Sequence, residues 1–348
     1  MRAAEAFRQQ GEACAALGSR MYAELLYGLA HDIDVDGPTA RVLQGHEDDP
    51  GPSGLALRLL GSVHRLVLER SAGGLAAYYP SVGGHWHAIH GVPAFIELLD
   101  RDPDAVRTWL DRPPQTNEVG RATALMGGLL HLPEAVRGPV RLFEIGSSAG
   151  LNLLANRFSY VDTVGARFGA EHSPVQLRPA WRGNNLTPWP DLQVAEAVGC
   201  DLDPVDAATT EGRLALTAYV WPDQRHRLER LRGALELAAT APPVVRRQGA
   251  GDFVGEIDLV DGSTTVVWHS VMWQYLPADE QERTSALIDA LGELATDAAP
   301  LAHLFLEPTR RRPDRDHEFL VVLTTWPGGE RRILGRAAPH GVPVTWEA

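Results

Sequence analysis

Val140-Arg-Leu-Phe-Glu144-Ile-Gly146-Ser147-Ser148-Ala149-Gly150-Leu-Asn-Leu-Leu154 reads as a buried strand, a tight turn of small residues and the first turn of a helix. Glu144 stands just before the turn. Small residues at 146–150 let the backbone approach a ligand closely. A strand, turn and helix in this order build a pocket for a small-molecule cofactor at the carboxyl end of the strand.

Downstream of Val140, apolar runs alternate with helical stretches, the texture of an α/β domain. Strands are expected at 140–145, about 193–200, 244–248, 264–269 and 302–306, and helices at 149–157, 223–239 and 279–294. Glu318–Thr325 and Glu330–Arg336 flank Trp326-Pro-Gly-Gly329, which predicts a closing antiparallel pair. Residues 158–192 form an insertion, expected to make its own hairpin over the site. Upstream, residues 1 to about 138 read as mostly helical. Met21, Tyr22, Leu25, Leu26 and Leu29 recur at helical spacing behind Ser19 as a cap, Leu55 to Val67 repeat the pattern, and Asp102-Pro103 starts another helix. Loops are expected at Gly37-Pro38, 48–52 and 78–84. The division is therefore a helical lid or substrate region at 1–138 and an α/β domain at 139–348.

The chain has 348 residues and a net charge of −13, a field that disfavours nucleic acid. Arg310-Arg311-Arg312 reads as a solvated loop. All 32 basic residues are arginine, which excludes an ordinary phosphate-loop nucleotidase and a Schiff-base enzyme. Two distant cysteines, Cys14 and Cys200, support neither a disulfide framework nor a thiolate zinc site. No window approaches ~18 uninterrupted apolar residues and no export signal opens the chain, so a cytoplasmic location without a membrane span is expected. His85-Trp-His87-Ala-Ile-His90 fits no metal template, and no metal is expected.

Three acidic positions fall at the strand ends: Glu144, then Asp201 with Asp203, then Asp252 beside Phe253. A carboxylate at the second strand end accepts both hydroxyls of a ribose, and one at the third accepts the exocyclic amine of adenine. His269, at the end of the fourth strand, is a candidate base, with a hydrogen-bonded core histidine as the alternative. Glu307 is a second candidate. Arg121 is placed to pair with a ligand carboxylate, and Asn117 and Glu118 to hold its ammonium or the acceptor; the alternative is a helix cap with an arginine clamp. Tyr78, Tyr79, Trp273 and Tyr275 are candidate walls for the acceptor, with core packing as the alternative. Gly146-x-Ser148-x-Gly150 is also the nucleophile-elbow pattern of a serine esterase, with Asp252 or Asp261 and His269 or His317 completing the order. A bare strand–helix crossing is the third reading of the turn.

The series resembles the class I S-adenosylmethionine-dependent methyltransferases, whose first motif runs acidic-x-Gly-x-Gly-x-Gly. Glu144-Ile-Gly146-Ser147-Ser148-Ala149-Gly150 departs from it by a serine at the middle glycine. The resemblance spans roughly residues 140–336. It implies a Rossmann-like, mostly parallel sheet with S-adenosylmethionine as cofactor, shaped by Gly146, Ser147, Ser148 and Gly150. It also implies methyl transfer to a small-molecule acceptor, under a lid that excludes water. A serine esterase acting through Ser148 and a non-catalytic nucleoside-binding protein are the alternatives. Nearly end to end, the chain also resembles an uncharacterised actinobacterial family of unknown function with a methyltransferase-like fold. That likeness lies in Ala76–Gly84, Gln115–Arg121, Gly199–Asp206, Tyr219–Gln224 and Val266–Pro277. The oligomeric state is not legible in these residues.

Overall fold

The structure, a computed structural model, describes residues 3–46, 49, 54–110 and 114–348. The loop expected at 48–52 lies, apart from Asp49, outside the described residues. In chain order the helices are α1 (Ala3–Ala16), α2 (Arg20–Asp34), α3 (Pro38–Val42), α4 (Leu55–Leu68), α5 (Ala88–Arg101), α6 (Pro103–Arg107), α7 (Ala122–Leu130), α8 (Thr210–Ala218), α9 (Arg225–Thr240), α10 (Ala250–Gly255) and α11 (Ala278–Glu293). The strands are β1 (Val140–Ile145), β2 (Ser159–Val161), β3 (Arg167–Gly169), β4 (Gln176–Leu177), β5 (Trp181–Gly183), β6 (Val194–Asp201), β7 (Val244–Arg247), β8 (Thr264–Ser270), β9 (Leu301–Thr309), β10 (Glu318–Trp326), β11 (Glu330–Arg336) and β12 (Val344–Trp346).

Two compact units result, Met1–Thr116 with Thr209–Glu229, and Asn117–Ala208 with Arg230–Ala348. The boundary expected near 138 therefore falls at 116/117, and a later segment joins the helical unit. No described helix is long and apolar enough to cross a membrane.

In the helical unit, the apolar stripes of α2 and α4 meet in one core with Phe7, Phe95 and Leu98. Ser19 Oγ accepts the Tyr22 amide at 3.2 Å, a cap worth about 1 kcal/mol. Asp102 does not cap α6; its carboxylate takes Arg101 Nε at 2.8 Å instead. Gly37-Pro38, expected in a loop, opens the short α3, and the 78–84 segment follows one 3-10 turn, Gly73–Tyr78, and contains another, Pro80–Val82.

The second unit is built on a nine-stranded sheet of order β5-β12-β11-β10-β9-β8-β1-β6-β7. From β7 to β9 the strands are parallel; β1 and β8 are buried almost throughout, as covering on both faces requires, whereas the edge strand β7 is mostly exposed. β10 and β11 then run antiparallel as the predicted hairpin, joined through Trp326–Gly329. The strands expected at 140–145, 193–200, 244–248, 264–269 and 302–306 are all present, the last extended to Leu301–Thr309. The insertion forms a small separate sheet, β3-β2-β4, and sends β5 to the edge of the main sheet.

The helix expected at 149–157 is instead a 3-10 helix, Leu151–Arg157. Phe158 N closes on Ala155 O (3.1 Å) and Tyr160 Oη donates to the same carbonyl (2.7 Å). Leu153 N likewise closes on Gly150 O at 3.0 Å, the i to i+3 spacing of a 3-10 turn.

Residues paired across neighbouring strands share a face. Glu144 pairs with Trp268, whereas Ile145 pairs with His269. Glu144 and His269 therefore project from opposite faces. The His269 face carries Phe143, Ile145, Val198 and Val267 under Phe253 and Val254 of α10 and Ile288 and Leu291 of α11.

Candidate functional site

β1 is flanked by β6, reached directly through the insertion, and by β8, reached only later. The strand order reverses at β1, which makes its carboxyl end the place where open α/β sheets bind ligands.

Two bends meet there. The first holds Gly146 (φ +67°), Ser148 (φ +53°) and Gly150 (φ +71°), and the second holds Val271 (φ +49°). With Asn117 (φ +22°), Ser148 and Val271 are the non-glycine residues of this unit with positive φ, among those described. For a β-branched residue such a backbone is costly, and strain of this kind collects at functional sites. Gly146 is required by a close approach, since a Cβ there would stand 2.9 Å from Met272 Cγ.

Four amides of the first bend donate within the protein. Ser147 N donates to Cys200 O (2.9 Å), Ser148 N to Asp201 Oδ2 (2.8 Å), Gly150 N to Ser147 O (2.7 Å) and Leu151 N to Asn117 Oδ1 (3.0 Å). Asn117 Nδ2 also donates to Ser147 O at 3.1 Å, so Asn117 braces the turn. Glu118 caps the segment that follows, accepting Gly120 N at 2.9 Å. Of the two readings offered for them, a ligand contact or a cap, these bonds match the cap. A Cβ at Gly199 would stand 2.1 Å from Ser147 Oγ, which is itself tied to Cys200 O. Gly199→Ala is expected to destabilise the protein by about 1–3 kcal/mol in urea titrations.

Glu144 is buried. Trp268 Nε1 donates to its Oε1 at 3.1 Å, and Oε2 has no partner among the described residues. Burial drives the carboxyl from 4.5 up to about 8, the Trp268 bond and the Arg121 charge pull it down, and Asp201 pushes it up. Glu144, Asp201 and Arg121 thus form one electrostatic group. Arg121 is the arginine clamp of the sequence alternative, but within this unit: Nε donates to Pro339 O (3.0 Å) and Nη1 to Ser270 O (3.1 Å). Asp201 Oδ1 also accepts Asp203 N at 3.0 Å.

The remaining acids separate from this group. Asp252 is exposed on α10 and ion-paired with Arg283 of α11, on the wall of an open surface groove of about 580 Å³. Asp203 is exposed and pairs with Arg247 at 2.9 Å. Phe253 is a core residue packed edge-on against Phe143, not a pocket wall. The expected convergence of Glu144, Asp201 and Asp252 therefore holds for the first two only.

On the opposite face, His269 and Glu307 come together. His269 Nδ1 lies 2.9 Å from Glu307 Oε1, and its Nε2 lies 3.0 Å from His303 Nε2. Trp273 and Phe305 stack on the His269 ring at 4.7 and 5.2 Å. Trp273 is thus a wall of this histidine, while Tyr275 is exposed. Glu307 Oε1 also accepts the Met272 and Trp273 amides at 3.0 and 3.3 Å, and its Oε2 has no partner among the described residues. His303 escaped sequence reading because only the β8–β9 register places it here.

Of the esterase candidates, His269, Asp252 and Asp261 do not gather at Ser148, and His317 is exposed just before β10. Both ring nitrogens of His269 are engaged, and Asp252 is held by Arg283. Asp261 precedes β8, at the end of that strand remote from Ser148. Tyr78 and Tyr79 belong to the helical unit, where Tyr79 is buried beside His64 (5.5 Å) and Tyr78 stacks on His90 (6.4 Å).

No curated protein and no solved structure matches the chain. A family model described as "Uncharacterized protein conserved in bacteria (DUF2332)" matches residues 4–346. With nearly its whole length covered, the chain belongs to the DUF2332 family.

Proposed function

We propose that the sheet unit is a Rossmann-like methyltransferase-type domain that binds S-adenosylmethionine at the carboxyl ends of β1 and β6. The observation that carries this reading is Glu144, a buried carboxyl with one oxygen unpartnered at the strand-order reversal. Such a group calls for a ligand bearing a positive charge. A dinucleotide fits poorly, because Ser147, Ser148, Gly150 and Leu151 have already spent their amides and a 3-10 turn replaces the helix that would face a pyrophosphate. A nucleoside that carries a cation and no phosphate fits both facts.

Asp201 keeps a second lone pair on each oxygen for the ribose hydroxyls. Glu144 faces the cationic part of the ligand, and Arg121 fixes the carbonyls around it. When bound, the cofactor supplies an electrophilic methyl group on a sulfonium. The protein's share is then to align a small-molecule acceptor and exclude water.

Calorimetric titration with S-adenosylmethionine and its demethylated product tests this. Binding in the micromolar range is expected, weakened at least about tenfold by Asp201→Ala, which removes charge-assisted hydrogen bonds. Ser148 should stay unlabelled by a fluorophosphonate probe. A silent titration together with labelling of Ser148 would replace this reading by the esterase one.

A further inference from the structure

Glu307, His269 and His303 form a continuous chain of hydrogen bonds on the α11 face of the sheet, running from near the carboxyl end of β9 toward its amino end. Glu307 and His269 are buried, and His303 is half-buried. The contact between the two Nε2 atoms, at 3.0 Å, accepts only one hydrogen. The two ends of the chain differ. Glu307 Oε1 receives His269, Met272 and Trp273, whereas Glu307 Oε2 is buried without a partner among the described residues.

We propose that these three residues are a proton relay in which His303 is the inlet and His269 the holder, set against Glu307. With the chain unloaded, His269 Nδ1–H donates to Glu307, and His303 Nε2–H donates to the His269 Nε2 lone pair. His303 Nδ1 is then the open lone pair. A proton from water binds there, the Nε2–H bond of His303 breaks, and that hydrogen bonds to His269 Nε2. The products are a charged His269, still donating to Glu307, and a neutral His303 in the other tautomer. One proton enters, one moves on, and every hydrogen bond of the chain is kept.

The surroundings suit this division. Burial, the neighbouring His269 and the charge of Arg331 on β11 all hold His303 well below the usual histidine range, so it passes the proton on rather than keeping it. Ile145 of β1 is opposite His269, Thr324 of β10 is opposite His303, and α11 buries Thr284, Ile288 and Leu291. His303 is therefore a positioning residue that acts through His269. The relay is tested without any ligand, so its failure and that of the function proposed above are distinguishable.

The full chain, with its 13 histidines labelled with nitrogen-15, is titrated by two-bond proton–nitrogen correlation spectra. His303→Phe assigns the inlet ring. As pH falls, His269 should become doubly protonated while His303 stays neutral and changes from the Nε2–H to the Nδ1–H tautomer, both with one midpoint. Glu307→Gln should move that shared midpoint down by about one pH unit or more, because the charged His269 loses its carboxylate. A His303 that keeps one tautomer while His269 titrates, or is doubly protonated before it, would overturn the proposal. Should Glu307→Gln fail to fold, the wild-type titration alone decides. Calorimetric silence toward the cofactor with an intact tautomer change would reject the function and leave the relay standing.

Discussion

Glu144→Gln should make the ligand-free protein more stable than wild type at alkaline pH, by on the order of 4 kcal/mol at pH of about 9. The native carboxyl is raised from 4.5 to about 8, chiefly by burial. Between those values the folded state holds a proton that the unfolded state has lost. Stability therefore falls as pH rises from about 4.5 and levels off above about 8. Glutamine keeps an oxygen for Trp268 Nε1 and has no proton to lose. Urea unfolding of both proteins at several pH values reads the effect, and parallel stability profiles would refute it. On the function proposed above, the same substitution also removes the carboxyl that would face the cation of S-adenosylmethionine, so affinity for it should drop at least about tenfold while stability rises.

Arg121→Met carries the second large effect, a loss of about 3–5 kcal/mol. The guanidinium is buried and donates to Pro339 O and Ser270 O. Methionine fills much of the volume but leaves those carbonyls without these donors. Arg121 also lowers the Glu144 carboxyl, so its removal should push that group higher still and carry the alkaline loss of stability above about pH 8. A double-mutant cycle with Glu144→Gln separates the two contributions. The carbonyl part should persist in the double variant and the pH-dependent part should vanish. A cycle with no coupling would mean that Arg121 acts on the backbone alone.

Local sequence determined the elements and their kinds. The runs at 140–145, 264–269 and 302–306 could only become buried strands, Trp326–Gly329 could only turn a hairpin, and Ser19 had to start a helix, because each choice rests on periodicity and turn chemistry within a few residues. The same information placed Glu144 and Asp201 at strand ends and so brought them to one site. Tertiary structure decided the rest. One residue of register separates the face of Glu144 from the face of His269, and a period of two cannot say which neighbour each will meet. Asp252 went to Arg283, 31 residues on, and His269 met Glu307 and His303 across β9, 38 and 34 residues away. The helix expected after the first bend closed as a 3-10 one, with Leu153 N on Gly150 O and Phe158 N on Ala155 O. Each outcome depends on which surfaces pack and at what register, a competition settled only when the whole sheet forms.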